Sequence, residues 1–240
     1  MRDSLATKEH WDSMINYMNE EIEWSKSSTL DIITKKTEKG EDVSDVVKRG
    51  NMELRSYYMS LLNSLYSSGA PIDEIRKLFP SILETFVGAK ESGYLDILWF
   101  ASIGVMFDVP IEMMQELERL VPENNYNDYL LDFLFRSVDP SWEKKHNTFM
   151  FQVPYEFLSS VIEAKTKEES LRLLKEYLEI VWYKGHKKED WYNSHKNMKA
   201  SFYDGYWSYE SGAIAKILKL DDAGWESMKY YPYDMVHYNG

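Results

Sequence analysis

The chain has 240 residues, enough for one large domain or two small ones, and its 44% apolar and 15% aromatic content excludes intrinsic disorder. It has no cysteine, which rules out a disulfide framework, a thiol nucleophile, Cys-ligated zinc and iron–sulfur clusters, and suits a cytosolic address. A formal net charge of −12, from 28 basic and 40 acidic residues, argues against nucleic acid as the main partner.

In chain order, Met1-Arg2-Asp3-Ser4-Leu5 is polar and Lys8, Glu9 and Asp12 follow, so no secretory signal is expected. Trp11, Ile15, Met18 and Ile22 then step by four, three and four, the period of an amphipathic helix. Thr34 to Lys48, rich in Lys, Glu and Asp and containing Gly40, reads as a solvated loop. Leu54, Tyr58, Leu61 and Leu65 repeat the helical step until Ser68-Gly69-Ala70-Pro71 ends it. Pro80 should kink or split the helix running from about Ile72 to Ala89. The apolar stretch Tyr94 to Val109 is broken by Asp96, Gly104 and Asp108, too short and too polar to span a bilayer, and reads as a buried helix.

Val121-Pro122-Glu123-Asn124-Asn125 is the best boundary, giving domains 1–122 and 123–240. Before Pro122 there are 21 acidic and 13 basic residues, so the acid excess sits mostly in the first half. Thr166 precedes Glu169 by three, a capping box opening a helix whose stripe is Leu171, Leu174, Leu178 and Val181. Strict two-residue alternation is scarce and no repeat has a fixed period. The expected fold is all-α: two packed helical domains forming an acidic multi-helix bundle.

No catalytic centre is recognisable. His10, His146, His186, His195 and His237 include no His-Glu-x-x-His pair, and nucleophile elbows, Walker loops and Gly-x-Gly-x-x-Gly are absent. Spacing alone leaves open a metal-dependent hydrolase built from His186, His195, Glu210 and His237. Asp139 with Glu143-Lys144-Lys145, and Glu163-Ala164-Lys165, echo half of a nuclease signature, but in what reads as a helical context. Lys184 to Lys199 mixes lysines and histidines with Trp191 and Tyr192; Glu189 and Asp190 inside it favour a surface loop over a phosphate site.

The richest stretch is Phe202 to Tyr238. Trp207 starts a helix whose apolar face continues at Ile214 and Leu218, which places Glu210 on or beside the buried stripe, where a carboxylate needs a partner. Gly212 and Ala213 would let another helix or the aromatic tail approach closely. One reading makes the segment a latch, with Tyr230, Tyr231 and Tyr233 packing the tail over the last helix and Pro232 fixing its path.

The residues Tyr206-Trp207-Ser208-Tyr209-Glu210, Ala213 to Leu218, Asp221-Asp222 and Tyr230-Tyr231-Pro232-Tyr233-Asp234 with His237 resemble the C-terminal domain of PoNi-type bacterial immunity proteins, the cytoplasmic antidotes to PoNe DNase toxins. The stretch from His10 to about Leu83 is similar in style to the family's helical N-terminal domain. The resemblance implies a non-enzymatic inhibitor in interbacterial competition by type VI secretion, without cofactor or metal, whose partner is a cognate nuclease toxin and neither nucleic acid nor membrane. It leaves room for a homodimer. An acidic partner suits a nuclease's basic phosphate groove. On that basis Asp204, Glu210, Asp221, Asp222 and Asp234 are nominated as partner-binding carboxylates.

Overall fold

A computed structural model describes residues 1–198 and 202–239, and among these it contains helices and no β-strand. The first elements are α1 (Lys8–Glu38), α2 (Ser44–Ser68), α3 (Ile72–Arg76) and α4 (Phe79–Ala89). Next come α5 (Tyr94–Met106), α6 (Ile111–Glu123), α7 (Tyr129–Val138), α8 (Gln152–Tyr155), α9 (Phe157–Ile162) and α10 (Lys167–Glu176). A π-helical turn over Tyr177–Trp182 leads into α11 (Tyr183–Gly185), a 3₁₀ turn follows at Ser194–Asn197, and α12 (Tyr209–Leu218) and α13 (Tyr233–Val236) complete the chain. The helices form two compact units, one of residues 1–92 with 202–205, the other of residues 93–201 with 206–240.

In the first unit α1 pairs with α2, and α2 with α3 and α4. Thr7 caps α1 by accepting from the His10 N–H at 3.3 Å, and the helix buries Trp11, Met14, Met18, Ile22 and Ser25. The stripe is therefore centred on Met14 where the sequence pointed to Ile15, which is half-buried. The Thr34–Lys48 loop is corrected: α1 runs on to Glu38 and α2 starts at Ser44. Lys and Glu are good helix formers, and Lys35 pairs with Asp31 one turn back, so a charged surface did not mean an irregular one.

Gly69 ends α2 at φ 94°, a left-handed conformation that a Cβ would disfavour, and Arg2 donates to the carbonyls of Tyr66 and Ala70 on either side of this stop at 3.1 and 2.8 Å. Pro80 splits the next helix as expected: α3 stops at Arg76 and α4 begins with Pro80 in its first turn.

In the second unit α5 is buried on nearly every side and packs against α6, α7, α12 and α13. That all-round burial is what its strongly apolar composition, interrupted by a charge only at Asp96, requires. Asp128 is the N-cap of α7: Oδ1 accepts from the Leu130 and Leu131 N–H groups, and Oδ2 from the Met150 N–H at 2.9 Å. Residues 139–151 are not helical, contrary to the helical context read around Asp139 and Glu143. Buried Asp132 organises the end of that stretch, accepting from Trp142 Nε1 at 3.0 Å and from His146 Nδ1 at 2.7 Å. Thr166 caps α10 through the Glu169 N–H at 3.2 Å, while Glu169 reaches back to the Lys165 N–H at 3.3 Å, one residue earlier than a standard capping box. No helix among the described residues is long and apolar enough to cross a membrane.

Candidate functional site

The C-terminal motif divides between the two units. In the first, Phe202–Gly205 lies along α1 and α2. The Tyr203 carbonyl accepts from His10 Nε2 at 2.7 Å, and its hydroxyl donates to Asp3. Asn63 donates to Asp204 Oδ2 at 3.2 Å, and Ser67 to the Asp204 carbonyl at 2.9 Å. Burial pushes the Asp204 carboxyl up to about 6, against hydrogen bonds from Ser60 and Asn63. Asp204 thus clasps its own unit.

In the second unit α12 lies against α5, and the residues after it fold back over its outer side. Gly212 makes the close approach possible: a Cβ there would sit 2.6 Å from Met106 Sδ and 2.6 Å from Pro232 Cγ. The approach expected at this glycine is therefore made by both α5 and the tail. Lys216, one turn on, donates to the Met106 carbonyl at the end of α5 and to Asp108 Oδ2 at 2.6 Å. A cation belongs there, at the negative end of a helix dipole. Tyr230 holds φ +69° while its carbonyl accepts from the Ser208 N–H at 2.8 Å, which ties the tail to the start of α12.

Glu210 is only 1% exposed. Its Oε1 accepts from the Tyr177 hydroxyl at 2.9 Å and the Ser208 hydroxyl at 2.8 Å, while Oε2 has no hydrogen-bond partner among the described residues. Burial raises its pKa against those donors. The π-helical turn explains how Tyr177 reaches it. One extra residue in the turn puts Tyr177 and Trp182, five apart, on the same inward side; both are at most 1% exposed. The expected stripe residue Val181 is consequently only half-buried. Sequence periodicity has no means of signalling that register shift.

Asp222 is also internal, 2% exposed, accepting from the Tyr231 hydroxyl and from His237 Nε2 at 2.8 Å. Asp221 and Asp234 face solvent. Of the five nominated carboxylates, then, Glu210 and Asp222 are interior hydrogen-bond acceptors, Asp204 is half-buried, and Asp221 and Asp234 are exposed.

The four residues of the hydrolase alternative are not brought together. His186 is buried against α8, its Nδ1–H donating to the Trp182 carbonyl at 2.7 Å and Nε2 accepting from the Tyr155 hydroxyl at 2.9 Å. Burial lowers its pKa to about 4, so the ring is neutral at pH 7. His195 bonds to the Tyr206 hydroxyl at 2.9 Å, while His237 and Glu210 have the separate partners given above. Among the described residues no group of three or more His, Asp or Glu side chains converges as a metal site. Asp139 is bound to Gln115 at 2.8 Å, and Glu163 takes the Tyr129 hydroxyl at 3.0 Å, so the nuclease-like triplets do not meet either.

The Lys184–Lys199 stretch is more than a solvated loop. Trp191 stacks on Trp182, with ring centroids 5.7 Å apart at 28°, and also meets Trp99, His186 and Tyr206. Its lysines point outward from this aromatic anchor; Lys199 lies outside the described residues.

Comparison with known proteins bears on both halves of the chain. Residues 2–119 match the family model described as PoNe immunity protein (PoNi), N-terminal, and residues 126–235 match PoNe immunity proteins (PoNi), C-terminal. A crystal structure of protein PA2201 from Pseudomonas aeruginosa is similar in fold, with a TM-score of 0.69 at 15% identity, covering 99% of this chain and 89% of that one. No curated protein matches the sequence.

Proposed function

We propose that this chain, which belongs to the PoNe immunity protein (PoNi) family, neutralises a DNase toxin by binding it, without turning over a substrate of its own. The observation that carries this reading is the pair of family matches, which between them account for residues 2–119 and 126–235. The residue chemistry supports it. A nuclease must present positive charge to hold phosphates, and a chain of net charge −12 is attracted to such a surface over long range. The Glu210 and Asp222 hydrogen bonds are suited to a rigid scaffold more than to chemistry, since each carboxylate is internal and engaged.

The inhibitor blocks the toxin's active or DNA-binding surface, and it does so in the cytoplasm, where the DNA to be protected lies. The toxin arrives from a competing cell by type VI secretion. Asp221 and Asp234 are the nominated carboxylates able to meet the toxin directly. The complex is 1:1, or 2:2 through a homodimer, and neither nucleic acid nor membrane is a direct partner.

Plasmid cleavage by the cognate DNase toxin, titrated with the purified chain, tests this. Cleavage should stop near one equivalent, and inhibition should weaken as salt screens the charges. Undiminished cleavage in the presence of a large excess of the chain would sink the reading.

A further inference from the structure

The first unit carries a surface that, apart from Phe202, neither the motif nor the nominated carboxylates include. On α1, Tyr17, Glu20, Glu21 and Trp24 are spaced i, i+3, i+4 and i+7, which puts them on one side of the helix. The buried residues of α1, from Trp11 to Ser25, lie on another side, and Glu21, half-buried at the edge between the two, takes hydrogen bonds from the Tyr17 and Tyr57 hydroxyls. Trp24 is 61% exposed and Phe202 63% exposed. Phe202 stacks on Tyr17, with ring centroids 5.4 Å apart at 12°, so the two rings support one another outside the core. From Tyr17 to Trp24 is two helical turns, about 10 Å along the axis.

Along α1 the charge beside these rings is acidic, with Asp12 paired to Lys8 and Glu23 to Lys26 at either end. Between Lys8 and Lys26 the sequence has Glu9, Asp12, Glu20, Glu21 and Glu23 and no lysine or arginine. Lys26 itself is engaged elsewhere, bound to Glu23 at 2.9 Å and set 5.6 Å over the Tyr58 ring. Exposed aromatics of this kind are the residues that dominate protein interfaces, and two-turn spacing on one helix face is the pattern by which a helix enters a groove.

We propose that this aromatic, acidic face of α1, built from Tyr17, Glu20, Glu21, Trp24 and Phe202, is the docking surface for a protein partner with a basic groove. The charge decides among occupants. An anionic lipid surface and a nucleic acid are both repelled by it, and a second copy of the same face would set like charges against each other. A basic protein satisfies the carboxylates and leaves Trp24 free to fill an apolar pocket between cations. Identifying that partner as the DNase toxin rests on the function proposed above.

The test uses the full-length chain and the cognate DNase toxin, with affinity and association rate measured at low and high salt. Trp24→Ala should weaken binding by about thirtyfold or more, the loss typical of an interface anchor. Glu20→Lys should slow association by about fivefold and flatten its salt dependence. Both variants should keep wild-type helicity and melting temperature, because the altered side chains lie outside the core. Ile180→Ala, an exposed change in the other unit, should alter affinity by less than about twofold. Wild-type binding to the toxin that both α1 variants retain within about twofold would overturn the docking surface and leave the immunity reading standing. Failure of the wild-type chain to bind the toxin would overturn both.

Discussion

Tyr177 donates its hydroxyl to Glu210 across 2.9 Å from within a π-helical turn, joining the segment after α10 to the first turn of α12. A π turn has poorer backbone geometry than an α-helix and persists where tertiary contacts favour it. Here those contacts are the Tyr177–Glu210 hydrogen bond and the Trp182 indole, which packs on His186 and Tyr230. Ser208 completes the arrangement by donating to the same Glu210 oxygen at 2.8 Å.

Glu210→Ala leaves two buried hydroxyls without their acceptor and opens a void, and should cost about 2–4 kcal/mol of stability. Glu210→Gln keeps an acceptor oxygen and removes the cost of a buried charge, so its loss should stay below about 1 kcal/mol. Urea unfolding of both variants checks the contrast. Equal losses would mean that the carboxylate itself, and not the shape or the single acceptor oxygen that glutamine preserves, is what the site needs.

Gly212 is where α5, α12 and the tail come closest. A methyl group 2.6 Å from Pro232 Cγ meets a ring that cannot rotate away, although the Met106 side chain on the other side can. Gly212→Ala should therefore cost about 1–3 kcal/mol and displace the tail, despite alanine's better helix propensity. Faster tryptic cleavage after Lys229, measured under native conditions, reports the displacement. A variant at least as stable as wild type with an unchanged cleavage rate would show that the approach can relax.

Much of this was legible in the sequence. The i, i+4 stripes gave the helical class, Pro80 the break between α3 and α4, the apolar run the buried α5, and Gly212 the close approach of the tail. The placement of Glu210 beside the buried stripe followed from its spacing to Ile214. Its partner did not, because Tyr177 reaches it through a π turn that no periodicity announces. Asp128 and Asp132 were also missed. Asp128 directly precedes an apolar helical run, which is an N-cap signal that could have found it. Asp132 has no such signal, since its partners Trp142 and His146 arrive from an irregular segment. Exposure of Trp24 was equally hidden: a tryptophan between charged residues reads as well for a core as for a surface.

His186 gives the fold an acid sensitivity of known sign. Its pKa is about 4 in the folded protein because burial disfavours the imidazolium, against an ordinary value near 6.5. The unfolded chain therefore binds the proton more readily. The stabilisation is fully present above pH 6.5 and is lost as pH falls through that value towards 4, on the order of 3 kcal/mol in all. His186→Gln should lower stability at pH 7 by about 1–2 kcal/mol through the weakened Tyr155 and Trp182 hydrogen bonds, while removing this slope. Urea midpoints at pH 4.5 and 7 measure it, and a slope surviving in the variant would assign the effect to another group.

Glu118 works in the opposite direction. Burial first, and then the charge of Asp139, raise its pKa from 4.5 to about 7, while Asp139 is held near 2 by hydrogen bonds from Gln115 and Ser141. A raised folded pKa means that the folded protein keeps the proton longer than the unfolded chain does. Stability from this group is complete below pH 4.5 and is lost as pH rises through about 7, on the order of 2 kcal/mol after allowing for residual screening. Between pH 4.5 and 6.5 the Glu118 and His186 slopes partly cancel, so the wild-type profile is flatter than either group alone would make it. Glu118→Gln supplies the amide donor that the protonated acid would have provided to Asp139, and it cannot ionise. Its stability should rise more steeply than that of wild type as pH goes from 4.5 to 6.5, because the opposing Glu118 slope is gone. Parallel profiles for the two proteins would show that Glu118 is already ionised in the fold.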